Sequence, residues 1–151
     1  VVTANKAMMA RHGQMLAEVF RELGRTRALV VHGAGSDEIA VHGTTQVWEL
    51  KADGEIISYE VTPADLGVEQ CELSDLVGGD GVENARHMRA IFDGTGPAAH
   101  RNAVAVNAGA MFYLNSQAES LREGTAHALS LINDGTVADW LKKHEEIDYR
   151  G

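Results

Sequence analysis

The sequence is poor in cysteine, proline and aromatic residues: one Cys, two Pro and 5% Phe, Trp and Tyr in 151 residues. A single thiol, Cys71, cannot close an internal disulfide, which excludes a secreted disulfide scaffold. With 44% hydrophobic and 23% charged residues, the composition is that of an ordinary globular chain and excludes a disordered one. No apolar run approaches the ~20 residues needed to cross a bilayer. The first residues, Val1 to Lys6, lack the long apolar stretch of a secretory signal. Basic residues are in deficit too. Thirteen Lys+Arg stand against 22 Asp+Glu, for a formal net charge of -9, which provides no electrostatic footprint for a nucleic-acid backbone.

What is present amounts to one domain's worth of chain, 16.2 kDa, able to bury roughly two-thirds of its unfolded surface. Periodicity predicts a helix over about 5–23, with Met8, Met9, Met15, Leu16, Val19, Phe20 and Leu23 on one face and Gly24 at its end. Gly13 interrupts that helix near its start. Ala28–His32 is a short apolar run with a β-branched pair, the pattern of a strand buried on both faces. Helix, tight turn and buried strand make half of an αβ crossover, which points to a parallel sheet. Thr45–Leu50 and Glu55–Val61 have strand character and flank Asp53-Gly54, a hairpin signal. Thr62-Pro63-Ala64-Asp65 reads as an N-cap, a proline at N1 and an acid at N3, opening one turn closed by Gly67. Beyond it the pattern is helical: a turn over Leu73–Val77, a helix from a capping box at Asp80 to about Asp93-Gly94, an Ala/Val-rich helix over Ala98–Leu114, another over Ala118–Asn133, and a last from Thr136 to about His144. The expected class is α/β with a mainly helical C-terminal half.

In α/β folds, sites gather just past the carboxyl ends of strands. There lies Gly33-Ala34-Gly35-Ser36-Asp37-Glu38. Two readings stand side by side. Adjacent carboxylates on a small-residue loop suit Mg²⁺, which takes oxygen ligands and keeps waters and substrate phosphates. Alternatively, Ser36 caps a helical turn, and Asp37 and Glu38 favour its positive end. By pattern alone the cap is the commoner case.

The other clusters carry less chemistry. Gly78-Gly79-Asp80-Gly81 follows no strand and reads as a turn plus N-cap, not a phosphate cradle. Gly94-Thr95-Gly96-Pro97 reads as an interhelical turn, its proline lacking an N–H donor. The seven histidines show no i, i+4 pair with a carboxylate base, and there is no Cys-x-x-Cys. His32 alone sits beside the acidic pair, where a structural or supporting role is the commoner one. Cys71 lies between Glu69 and Glu72, a setting that disfavours its thiolate. No G-x-S-x-G elbow exists.

Several of these segments, in order, resemble one family. They are Leu23-Gly24-Arg25-Thr26-Arg27-Ala28-Leu29-Val30-Val31-His32-Gly33 with Gly35-Ser36-Asp37-Glu38, then Thr62-Pro63-Ala64-Asp65-Leu66-Gly67 and Leu76-Val77-Gly78-Gly79-Asp80. Glu83-Asn84-Ala85, Gly94-Thr95-Gly96-Pro97, Ala103-Val104-Ala105-Val106-Asn107-Ala108 and Ala118-Glu119-Ser120-Leu121-Arg122-Glu123-Gly124 complete the series. Together they resemble the anthranilate phosphoribosyltransferase family over nearly the whole chain.

The resemblance implies transfer of a phosphoribosyl group from phosphoribosyl pyrophosphate to anthranilate, in tryptophan biosynthesis, by a cytoplasmic enzyme that is a homodimer. It implies a nucleoside phosphorylase/phosphoribosyltransferase-type α/β domain beside a small helical domain, with the site between them. The family's metal-binding acids match Asp37 and Glu38, which would hold Mg²⁺ with the pyrophosphate. The family's Gly-Thr-Gly-Gly-Asp phosphate loop, its Lys-His-Gly-Asn segment, its anthranilate-binding Arg and the helical domain have no match in these residues. Residues 1–151 are therefore expected to form the C-terminal portion of the catalytic α/β domain, inactive by itself and prone to self-association through open strand edges. Two alternatives share the fold: a pyrimidine nucleoside phosphorylase-like enzyme and a non-catalytic nucleic-acid-binding relative. The ordered motifs fit the first less well, and the acidic charge weighs against the second. No nucleic-acid or membrane partner is expected.

Overall fold

The computed structural model describes the backbone of residues 6–145 and the side chains of residues 12–144. In chain order the elements are α1 (Lys6–Glu22), β1 (Ala28–Gly33), β2 (Thr45–Leu50), β3 (Ile56–Val61), a short 3-10 turn (Leu73–Leu76), α2 (Gly81–Phe92), α3 (Ala98–Leu114), α4 (Leu121–Asn133) and α5 (Thr136–Glu145). Helix α4 starts later than periodicity predicts because Ser120 is its cap. The Ser120 hydroxyl accepts from the Glu123 amide, and the Glu123 carboxylate accepts from the Glu119 amide. Among the described residues no helix is long and apolar enough to cross a membrane.

The strands form an antiparallel meander in the order β1-β2-β3, with Val31 opposite Val47 and Val47 opposite Tyr59. This corrects the parallel expectation. Burial of β1 on both faces comes from helices on either side of the sheet, and that covering is independent of strand direction. Val30 packs with Ala17 of α1 and with Leu16, Phe20, Trp48 and Ile56. Leu29 and Val31 face the other way and join Val47, Val106 and Ala110 in the main core. The β2–β3 connection is the expected hairpin. Gly54 takes φ 87 and Lys51 pairs with Glu55 at 3.0 Å.

Helix α1 turns inward a face offset from the one its periodicity suggests: Leu16 and Phe20 of the expected stripe pack inward, but its other described members do not. Gly13, Ala17 and Phe20 face the sheet, while Met15, Val19 and Leu23 are exposed. A Cβ at Gly13 would collide with the Trp48 ring, so the glycine is where the sheet's largest side chain meets the helix. His12, just before it, leaves helical geometry at φ -136. The side chains of Met8 and Met9, and Asn5 at the predicted start, lie outside the described residues. Thr62–Asp65 opens the expected single turn, closed by Gly67. The Asp65 carboxylate accepts from the Thr62 amide and hydroxyl, which holds it below the usual carboxylate range, and Gly67 takes φ 82.

Glu49 is buried on the main-core face of β2, yet it is not left bare. The phenols of Tyr59 and Tyr113 donate to it at 2.8 and 2.6 Å. Arg27 lies 4.5 Å over the Tyr113 ring and donates to the carbonyls of Tyr113 and Leu114. This cluster ties β2 and β3 to the end of α3. On another side of α3, Gly109 meets Gly124 and Thr125 of α4 so closely that a Cβ on Gly109 would enter their backbone.

Gly109→Ala is expected to overpack this crossing and cost ~1–3 kcal/mol, read as a lowered midpoint in thermal unfolding. Burial, and then donation to Glu49, raise both phenol pKa values above 10.0. The folded state therefore favours the protonated phenols. The stability they contribute is full below pH 10.0 and is lost as pH rises through the folded-state values. Urea unfolding across that range should show a steeper alkaline decline for the wild type than for Tyr59→Phe.

Candidate functional site

The acidic pair sits on a loop whose path is set at the end of β1. The chain reverses there in two residues. Gly33 and Ser36 exchange backbone hydrogen bonds of 3.3 and 2.6 Å, and Ala34 and Gly35 take φ 43 and 88. Two successive positive φ angles are the mark of a type I′ hairpin turn. The Ser36 hydroxyl donates back to the Gly33 carbonyl at 2.8 Å. No helix follows, so the reading of Ser36 as a helix cap is corrected. A tight turn occupies the position, and there is no helix end for Asp37 and Glu38 to complement.

The residues after the pair are held from two sides. The Asn107 amide on α3 accepts from the Ile39 N–H at 3.0 Å and donates to the Ile39 carbonyl at 3.1 Å. From β2, the buried Thr45 hydroxyl accepts from the Ala40 N–H at 2.9 Å. Ile39, Ala40 and Val41 are buried. Gly33 closes the arrangement, because a Cβ there would collide with the Glu38 carbonyl and the Ala40 amide.

Asp37 is half-buried and Glu38 exposed, and neither carboxylate has a hydrogen bond or ion pair with another described residue. Glu38 and Asn107 edge an apolar groove of about 650 Å³ floored by Leu29 and Val31 and walled by α3 at Ala103, Val104 and Met111. Two free carboxylates on a fixed loop are an oxygen donor set of the kind Mg²⁺ uses, with water and phosphate completing its shell. They do not suit a nitrogen- and sulfur-ligated ion. Among the described residues no three His, Cys, Asp or Glu side chains come together as a metal-binding group.

His32 is adjacent in sequence but faces away. It shares the strand face of Val30, opposite Leu29 and Val31. His100 lines the groove instead, its ring 6.0 Å from that of His87. The glycines at 78–81 serve α2: Asp80 caps it, accepting from the Val82 and Glu83 amides, and Asn84 brackets Gly79 with two hydrogen bonds. Gly94–Pro97 links α2 to α3. Burial, with Asp75 and Glu72 nearby, pushes the Cys71 thiol up, away from the nucleophilic thiolate. Asn107 and Thr45 are the members of the site that pattern reading passes over. The one available signal for Asn107 is an amide side chain in an otherwise apolar Ala/Val-rich stretch.

The chain matches the glycosyl transferase family a/b domain over residues 6–138. It is 93% identical over 141 residues to the anthranilate phosphoribosyltransferase of Corynebacterium efficiens, covering 93% of this chain and 41% of that protein. The corresponding protein of Corynebacterium glutamicum strain R is 68% identical over 140 residues. The chain thus spans about two-fifths of the length of the curated relatives it matches. In three dimensions it is similar to the anthranilate phosphoribosyltransferase of Thermus thermophilus, with a TM-score of 0.77 and 33% identity over 93% of this chain and 40% of that one. A variant of the Saccharomyces cerevisiae protein, solved with Mg bound, shares the fold at a TM-score of 0.69 and 21% identity, covering 87% of this chain and 38% of that one.

Gly33→Ala should push the acidic loop off β1. The expected result is faster amide hydrogen exchange at Ile39 and Ala40, with the amides of β3 unchanged.

Proposed function

The chain belongs to the glycosyl transferase family through its a/b domain, and on that premise we propose that it is the C-terminal portion of an anthranilate phosphoribosyltransferase catalytic domain. The observation that carries this reading is the 93% identity over 141 residues to a protein of that name. The whole enzyme would transfer the phosphoribosyl group of phosphoribosyl pyrophosphate to the amine of anthranilate and release pyrophosphate, as a cytoplasmic homodimer. No nucleophile is required of the chain, because anthranilate brings its own amine.

The part assigned to these residues is electrostatic. Asp37 and Glu38 are the pair that would hold Mg²⁺, in keeping with their free carboxylates and the two-sided anchoring of their loop. When bound, the ion supplies positive charge against the negative charge that grows on the departing pyrophosphate. The tight turn at Gly33–Ser36 and the bonds at Ile39 and Ala40 keep the two carboxylates in place before substrate arrives. Phosphate cradle and anthranilate contacts fall to residues outside this chain, so the 151 residues alone should form no product.

In a full-length chain carrying this segment, Asp37→Asn with Glu38→Gln should lower kcat/KM on the order of 10²–10³-fold, the scale for losing an electrostatic stabiliser. It should also raise the Mg²⁺ concentration needed for half-maximal turnover. An unchanged Mg²⁺ titration would remove the pair from the mechanism. Running phosphate and a pyrimidine nucleoside in parallel, with mass-spectrometric detection, separates the transferase from a nucleoside phosphorylase. Product from the isolated 151 residues would overturn the assignment of the remaining contacts to other parts of the protein.

A further inference from the structure

We propose that Asn107 is a positioning residue for the Asp37–Glu38 pair, an inference that rests on the metal role assigned to that pair above. The Ile39 backbone follows Glu38 directly, and a single planar amide satisfies both its N–H and its C=O, members of successive peptide groups, at 3.0 and 3.1 Å. Two bonds from one rigid group fix rotation as well as distance, as a neighbouring strand would. The amide is itself oriented. Its Nδ2 also donates to the Ala103 carbonyl one turn back at 3.0 Å, and the flanking Ala105 and Val106 are buried at 0% and 1% exposure. Asn107 therefore passes the fixed position of α3 to the backbone of the acidic loop. No described side chain grips the carboxylates themselves, so their direction depends on where their backbone is held.

A structural role would merely satisfy a buried loop backbone. A positioning role also sets the affinity for a divalent ion. The two separate in a full-length chain carrying this segment, with Mn²⁺ in the presence of phosphoribosyl pyrophosphate as the probe and bound ion counted by electron paramagnetic resonance. Asn107→Ala should weaken Mn²⁺ binding on the order of 10-fold, the lower end of the effect of removing a group that orients metal ligands. It should also speed amide exchange at Ile39 and raise the Mg²⁺ midpoint of turnover, with kcat recovered at saturating Mg²⁺. Val106→Ala, a core truncation with no bond to the loop, should lower the melting temperature and leave the Mn²⁺ Kd in place. Should Asn107→Ala not fold, Asn107→Ser keeps a polar group too short to reach both Ile39 atoms and is read in the same way. An unchanged Mn²⁺ Kd in the Asn107 variants, with a weakened one in Asp37→Asn/Glu38→Gln, would overturn this inference and leave the metal reading standing. An unchanged Kd in all of them would overturn the metal reading itself. An equal loss of affinity in Val106→Ala at matched stability would reduce Asn107 to a structural role.

Discussion

Helix α3 packs against one face of the β1-β2-β3 meander, and the acidic loop, the groove and helix α4 are placed relative to that contact. Val106 and Ala110 lie in the same apolar cluster as Leu29, Val31 and Val47. Burial of such surface is the dominant favourable term in folding, and a helix used on several sides must be apolar and small nearly all round. Each side of α3 has its own neighbour. Gly109 admits α4 at backbone distance, Tyr113 reaches the carboxylate of Glu49, Asn107 holds the acidic loop, and Val104 with Met111 walls the groove.

Two kinds of carboxylate occur around this helix, and the difference between them is informative. Glu49 is buried and receives two phenol hydrogen bonds, which offset the cost of taking a charge out of water. It is consumed by structure. The carboxylates of Asp37 and Glu38 receive nothing from described side chains, although hydrogen bonds anchor the backbone that follows them. Carboxylates on a fixed frame with their oxygens uncommitted are available to an ion. The positive φ of Ala34, 43 degrees at the turn before them, places a mildly strained residue at the same spot, where loops that serve a site tend to carry strain.

Local signals account for much of the fold. Ala98–Leu114 and Thr45–Leu50 are helix and strand where the sequence puts them, the first because it is a long Ala/Val-rich run and the second because its short β-branched and aromatic run suits a strand. Asp53-Gly54 turns the hairpin because the positive φ falls on glycine. Short-range chemistry is legible as well. The Thr62-Pro63-Ala64-Asp65 hydrogen bonds form on the single turn expected there, since Gly67 ends it before a helix can propagate. The inward face of α1 is less legible. Met15 and Val19 compete in apolarity with Ala17 and Gly13, and only the bulk of Trp48 decides which side fits.

Within the site, the sequence by itself determines the acidic pair, its place after a buried strand, and the glycines that let the chain turn there. Those are properties of neighbours along the chain. Strand direction, the absence of a helix after Ser36 and the separation of His32 from the groove are decided only when the sheet and its covering helices come together. The same is true of the clamp between Asn107 and Ile39, residues 68 positions apart. A hydrogen bond of that span leaves no periodic trace. It forms because α3, fixed on the sheet by its apolar side, brings an amide to the backbone next to Glu38.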